Sequence, residues 1–251
     1  MSSTWTAMSI FDILGPIMIG PSSSHTAGAV RIGKMGRQIL GAEPISIDLH
    51  FYGSLAETYK GHMTDRGVVA GLLDMDVDNE DIKIALSIAE KKKIRLSVHT
   101  QTISEKNPNT IEMELTSPSG KAYVVGVSVG GGEILITDID HCKVNLSGKG
   151  HLLLIYSGKD SIGPEKISRA IRDNFLSCQT SRSDSQELAV VHVNKPVEKR
   201  VLDQLTGMKG VRSVRMIRSL YDYRIVDPEP LFSSISEMLA QARKKGKSLP
   251  D

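Results

Sequence analysis

The 251-residue sequence predicts an α+β protein in two parts: a mixed α/β domain, then a smaller ferredoxin-like βαββαβ sandwich. Three observations predict it. Helix-period stretches alternate with a strand up to Lys93. From Ile94 to Ile139 the apolar period falls to two, with Gly, Pro and Asn turns between the runs. Beyond the break Ser147-Gly148-Lys149-Gly150, strand and helix patterns recur in the order βαββαβ. The expected divisions are 1–147, 148–223 and a tail, 224–251.

Ser9 is placed to cap a short helix over 10–14, stopped by Gly15-Pro16. A Ser-rich loop follows. Then Ala29, Ile32, Gly33, Gly36, Ile39 and Leu40 share one helical face, with Arg31, Lys34, Arg37 and Gln38 opposite, until about Gly41. Ile45, Ile47, Leu49 and Phe51 alternate with polar residues as a half-buried strand. Gly53 and Gly61 bracket one or two helical turns. Thr64 or Asp65 is expected to cap a helix carrying Val68, Val69, Leu72 and Leu73. After an acidic turn at 76–81, Ile82, Ala85, Leu86 and Ala89 mark a helix whose Lys91-Lys92-Lys93 end suits the dipole.

Four strands are expected next, over 94–102, 111–116, 123–129 and 134–137. The second domain reads as strands over 152–156, 176–182, 188–193 and 211–217, with helices opening at Pro164 and Pro196. Beyond Asp227-Pro228-Glu229-Pro230, a C-terminal helix carries Leu231, Ile235, Met238 and Leu239.

Composition excludes several classes. Apolar residues make up 40%, enough for a core, but aromatics only 4%, so that core is aliphatic. A formal charge of +2 argues for neither nucleic acid nor a membrane surface. Cys142 and Cys178 lie far apart and form no C-x-x-C, which fits a reducing compartment and is too few thiolates for an iron–sulfur cluster. No basic, apolar leader and no membrane-length apolar run is visible, so a soluble cytoplasmic protein is expected. His50, His99, His141, His151 and His192 show no ligand spacing and read as surface or satisfied residues.

The chemistry concentrates in Gly20-Pro21-Ser22-Ser23-Ser24-His25-Thr26-Ala27-Gly28, at the start of the first long helix. There the first N–H groups lack partners and the dipole is positive. One N-cap needs one hydroxyl, yet four stand here beside a histidine. The cluster reads as a cradle for a carboxylate or phosphate. A helix N-terminus also favours neutral imidazole, so His25 can accept a proton or merely donate a hydrogen bond. Gly130-Gly131-Gly132 reads as a hairpin turn or as a close approach of backbone to a ligand or partner.

Three stretches carry a resemblance: Ser9 through Gly28, Tyr52-Gly53-Ser54-Leu55-Ala56-Glu57-Thr58-Tyr59-Lys60-Gly61-His62 with Thr64-Asp65, and Gly130-Gly131-Gly132. Together they resemble the beta subunit of the iron–sulfur-dependent L-serine dehydratases (L-serine ammonia-lyases), over about 9–147. Residues 150–218 resemble an ACT domain, mainly in element order. The resemblance implies loss of water and then ammonia from L-serine to give pyruvate. It implies a 4Fe-4S cluster held by a separate alpha subunit, whose open iron acts as Lewis acid on the leaving hydroxyl. It also implies a first domain like the allosteric substrate-binding domain of some phosphoglycerate dehydrogenases, and homodimerisation through the ACT domain.

Carried over by residue, Ser22, Ser23, Ser24, His25, Thr26 and Gly28 match the substrate loop, with His25 a proton-handling candidate. Lys60, His62, Thr64 and Asp65 match a second motif at the same pocket. One departure stands out. The family's His-Pro-Asn reads Asn107-Pro108-Asn109, so Asn107 can bind substrate by hydrogen bonds but carries no proton near neutral pH. Acid–base work then falls to His25, to His62 or to the alpha subunit, or the chain is regulatory. The alternative class is a non-catalytic sensor of serine or phosphate. In ACT domains an Asp-Arg-Pro-Gly turn is common, whereas this chain has Lys159-Asp160-Ser161-Ile162-Gly163-Pro164.

Overall fold

The computed structural model describes residues 16–102, 105–158 and 163–221. The helices expected at 10–14 and beyond 230 lie outside them. The elements are α1 (Gly28–Leu40), β1 (Ser46–Tyr52), α2 (Ser54–Thr58), α3 (Thr64–Leu72), α4 (Ala85–Lys91), β2 (Arg95–Gln101), β3 (Thr110–Ser117), β4 (Gly120–Gly130), β5 (Glu133–Ile139) and β6 (Cys142–Leu146). The second part adds β7 (His151–Ser157), α5 (Pro164–Ile171), β8 (Phe175–Arg182), β9 (Glu187–Val193), α6 (Lys199–Thr206) and β10 (Val211–Ile217). The chain is α+β, as expected.

Among the described residues there are two sheets, ordered β2-β1-β3-β4-β5-β6 and β10-β7-β9-β8. In the first, β1 and β2 are parallel and the remaining pairs antiparallel. Alternation in β1 sends Ile47, Leu49 and Phe51 into the core with Ile111, Met113 and Leu115 of β3. Strand β6 departs from expectation. Cys142, Val144 and Leu146 do alternate with Lys143 and Asn145, but five residues are a short signal. The expected helix at Pro196 begins only at Lys199, and the helix near Ile82 opens with a 3₁₀ turn, Glu80–Ile84.

Close packing of α1 on α3 fixes the site. A Cβ at Gly33 would lie 2.2 Å from the Val68 carbonyl oxygen, and one at Gly71 only 2.0 Å from that of Val30. The two backbones therefore touch directly.

The second sheet has its own helix-covered face, with Leu153, Ile155, Ile167, Ile171, Val191 and Leu205 buried together. Its other face joins the main core through Leu152, Leu154, Leu188, Val190 and Ile217. The end of α1 meets the second sheet's last strand. Gln38 Nε2 donates to the Arg218 carbonyl at 3.2 Å, and Arg218 N–H donates back to Gln38 Oε1 at 2.6 Å. Between the sheets lies a cavity of about 620 Å³ with Glu114, Tyr123, Asp140, Tyr156, Arg212 and Arg215 on its walls.

Candidate functional site

The Ser-rich loop does not open as an ordinary α-helix. Ser23–Ala27 forms a single π turn, with Ala27 N–H reaching the Ser22 carbonyl at 3.3 Å. Nothing in the residue pattern signals this wider turn, a feature that recurs at functional sites. Ser22 is the cap: its Oγ accepts from His25 N–H at 3.1 Å and lies 3.3 Å from Ser24 Oγ. Ser22, Ser23, Ser24 and His25 stay partly exposed, whereas Thr26 and Gly28 are buried. Gly28 is small because Ser128 Oγ occupies the space a Cβ would take, 2.5 Å away, and that hydroxyl donates to the Ser24 carbonyl at 2.8 Å.

Thr26 joins the two sequence motifs. Its buried hydroxyl donates to the His62 carbonyl at 2.7 Å. Just beyond, Met63 takes a left-handed φ of 57° and Thr64 starts α3. A non-glycine residue in that region costs free energy and persists only where surroundings hold it. Thr64 is therefore not the cap; it sits inside the first turn, fully buried. Removing the tie with Thr26→Val is expected to cost about 1–3 kcal/mol, the penalty of a lost buried hydrogen bond. Urea unfolding of the chain reads this directly.

With the loops so held, His25 Nδ1 lies 2.7 Å from His62 Nδ1, the ring centroids being 4.8 Å apart. Such a contact needs one proton between the two nitrogens, since two lone pairs or two N–H groups would repel. The imidazole that donates its Nδ1–H keeps an unprotonated Nε2, and that nitrogen is a base. Burial first, and the charge of His62 second, lower the pKa of His25, while a hydrogen bond it donates to the Asn109 side chain opposes the shift. Neutral imidazole is favoured, as expected, but by burial and pairing. Thr58 Oγ1 approaches His25 Nδ1 at 3.5 Å and donates to the Ser54 carbonyl at 2.7 Å. Ser54 Oγ in turn donates to Asn109 Oδ1 at 2.8 Å. Gly53 permits this turn, because a Cβ would meet the Pro108 Cα at 2.4 Å.

A family profile described as "Serine dehydratase beta chain" matches residues 9–138. The "Probable L-serine dehydratase, beta chain" of Bacillus subtilis is 38% identical over 83% of this chain and 97% of its own length. The "L-serine dehydratase, beta chain" of Peptoniphilus asaccharolyticus is 26% identical over 84% of this chain and 99% of its own. The chain belongs to the serine dehydratase beta chain family. A third relative, "L-serine dehydratase 2" of Escherichia coli, is 42% identical over 30% of this chain and 17% of its own length.

Within this chain the expected site residues divide. Ser22, Ser24, His25 and His62 come together around the histidine pair. Thr26, Gly28 and Thr64 are buried and position the loops. Lys60 is exposed, its Nζ 5.6 Å from the Tyr59 ring centroid. Asp65 accepts from Arg66 N–H at 2.8 Å, and burial raises its carboxyl pKa. Asn107 is exposed, its Oδ1 accepting from Asn109 N–H at 2.9 Å.

Ser54, Thr58 and Asn109 complete the network around His25, beyond the residues the sequence points to. Ser54 and Thr58 lie inside the quoted motif, and Asn109 is the last residue of Asn107-Pro108-Asn109. Gly131 and Gly132 form the two-residue link between β4 and β5, at φ 61° and 81°, a hairpin turn. Gly132 also accepts from the buried Arg31 at 2.6 Å through its carbonyl.

The cysteines do not suit a cluster. Cys142 is buried on β6, Cys178 lies on the edge strand β8 of the other sheet, and burial raises both thiol pKa values. Two cysteines, on strands of different sheets, are fewer than the thiolates a cluster takes. Among the described residues, no helix is long and apolar enough to cross a membrane.

Proposed function

We propose that this chain is the beta subunit of a two-chain L-serine dehydratase that converts L-serine to pyruvate and ammonia. The observation that carries this reading is the 2.7 Å Nδ1–Nδ1 contact of His25 and His62 beside the Ser22–Ser24 hydroxyls, in a chain of this family. The hydroxyls and the first N–H groups of the π turn hold the serine carboxylate. The free Nε2 of the pair takes the α-proton, and the electrons left on the α-carbon form the C=C bond as the β-hydroxyl departs. The resulting aminoacrylate tautomerises to an imine, and water releases ammonia. The hydroxyl needs an electrophile to leave, and this chain's donor set fits no cluster. In this proposal a 4Fe-4S cluster belongs to the alpha subunit, and the assembly is cytoplasmic.

The isolated chain is expected to be colourless and inactive. Mixed anaerobically with a cysteine-rich alpha chain, iron and sulfide, it should give serine-dependent pyruvate. No activity from a fully clustered mixture overturns the reading.

The pH dependence follows from His25. Its folded pKa lies below the ordinary 6.5, so the neutral base persists into mildly acidic solution. The acid limb of kcat/KM should fall below pH 6.5. Stability follows the same sign. Between the folded value and 6.5 the unfolded chain binds more protons, so this contribution is lost as pH falls through that window.

A second reading rests on Asn107, which stands where the family commonly has histidine. In it the chain is a non-catalytic sensor of serine or phosphate. Calorimetry separates the two: tight binding by the lone chain, with no turnover beside any partner, favours the sensor. Homodimerisation through the four-stranded, ACT-like sheet is part of the first reading. Strand β8, with Leu176 60% exposed, is one of the two edges of that sheet.

A further inference from the structure

The outer face of the first sheet carries a second cluster. The parallel register places His50 of β1 beside His99 of β2, and Asp48 lies two residues before His50 on the same face. Asp48 Oδ1 is 3.5 Å from His50 Nε2 and 3.0 Å from His99 Nε2. One ligand atom from each of the three residues lies within 4.8 Å of the others. The two rings stack with centroids 4.6 Å apart. Asp48 Oδ1 is buried and accepts no aligned hydrogen bond, although both imidazole nitrogens face it.

We propose that Asp48, His50 and His99 bind one divalent transition-metal ion of the zinc, cobalt or nickel class. Two ligands about 2.1 Å from a tetrahedral or octahedral centre stand about 3.0–3.4 Å apart, close to the 3.5 and 3.0 Å that separate Asp48 Oδ1 from the His50 and His99 nitrogens. Imidazole nitrogen with one carboxylate selects these ions over calcium or magnesium, which take oxygen ligands. The register partners of Asp48 and His50 on β3 are Glu114 and Glu112, so the surroundings favour a cation. Lys106 is paired with Glu112. Three protein ligands leave a position for water. The ion joins the edge strand β2 to β1. Its ligands come from strands 49 residues apart, which is why no spacing along the chain announced it.

The test uses the full chain, stripped of metal by a chelator, and needs no serine turnover, so it stands or falls apart from the proposed activity. Zinc calorimetry and the visible absorption of added cobalt should give one ion per chain, and zinc should raise the unfolding midpoint. His99→Ala, an exposed change, and Asp48→Asn should each weaken binding by more than about tenfold, a loss already typical of outer-shell changes. A His25→Ala/His62→Ala double variant should bind as before. Unchanged affinity in His99→Ala and Asp48→Asn, loss of the ion in the double variant, or only weak binding that the unfolded chain matches would each overturn the assignment.

Discussion

Changing His62 to alanine in the assembled enzyme is expected to lower kcat for serine by about 10²–10⁴, the usual worth of a positioned acid or base. His25→Ala should lose a similar amount. The two imidazoles share one proton across 2.7 Å, so either truncation leaves the other ring without the partner that sets its tautomer. The double variant should then fall little further than either single one, as groups acting as a unit are not additive. KM should change less than kcat, because the Ser22 hydroxyl and the π turn remain to hold the carboxylate. Steady-state kinetics of the three reconstituted variants reads this pattern. Additive losses in kcat would show that the two rings act independently, and a rise in KM at constant kcat would assign the pair to binding alone.

The second large effect is on folding. Gly71→Ala should destabilise the chain by about 2 kcal/mol or more, even though alanine gains about 1 kcal/mol over glycine inside a helix. The added Cβ would lie 2.0 Å from the Val30 carbonyl oxygen and 2.6 Å from the Lys34 nitrogen. Those are backbone atoms, which cannot rotate away, so overpacking of about 1–3 kcal/mol or beyond outweighs the propensity gain. Moving α1 away from α3 would also displace Thr26 from the His62 carbonyl, so loss of stability and loss of activity should travel together. Gly163→Ala serves as the control, since nothing among the described residues lies within 4 Å of its Cβ position. Denaturant unfolding of both variants settles the comparison.

The elements were legible where a period repeats long enough. The apolar face of α1, the alternation of β1 and the Pro164 helix start stand at or within a few residues of their expected places. Short or unusual turns were not. The π turn at Ser23–Ala27 has the same residues an N-capped α-helix would have, and only its i+5 hydrogen bond tells them apart. For the site, the two motifs were visible, but the tie between them was not. Thr26 reads as another hydroxyl in a cradle, whereas burial turns it into the bond that holds His62. Asn107 is the residue that departs from the family pattern, yet Asn109, two residues on, is the one that reaches His25. Contacts between residues 37 apart along the chain, such as His25 with His62, follow from packing of α1 on α3 rather than from local pattern.

The central claim is that this chain supplies the base that removes the α-proton of serine. Serine labelled with deuterium at the α-carbon tests it most directly, through release of label to water by the assembled enzyme. The wild-type assembly should release label as it forms pyruvate. An assembly carrying His25→Ala and His62→Ala should still bind serine but release label at most at about 1% of that rate. Undiminished release from the double variant would place the base on the other chain and contradict the account.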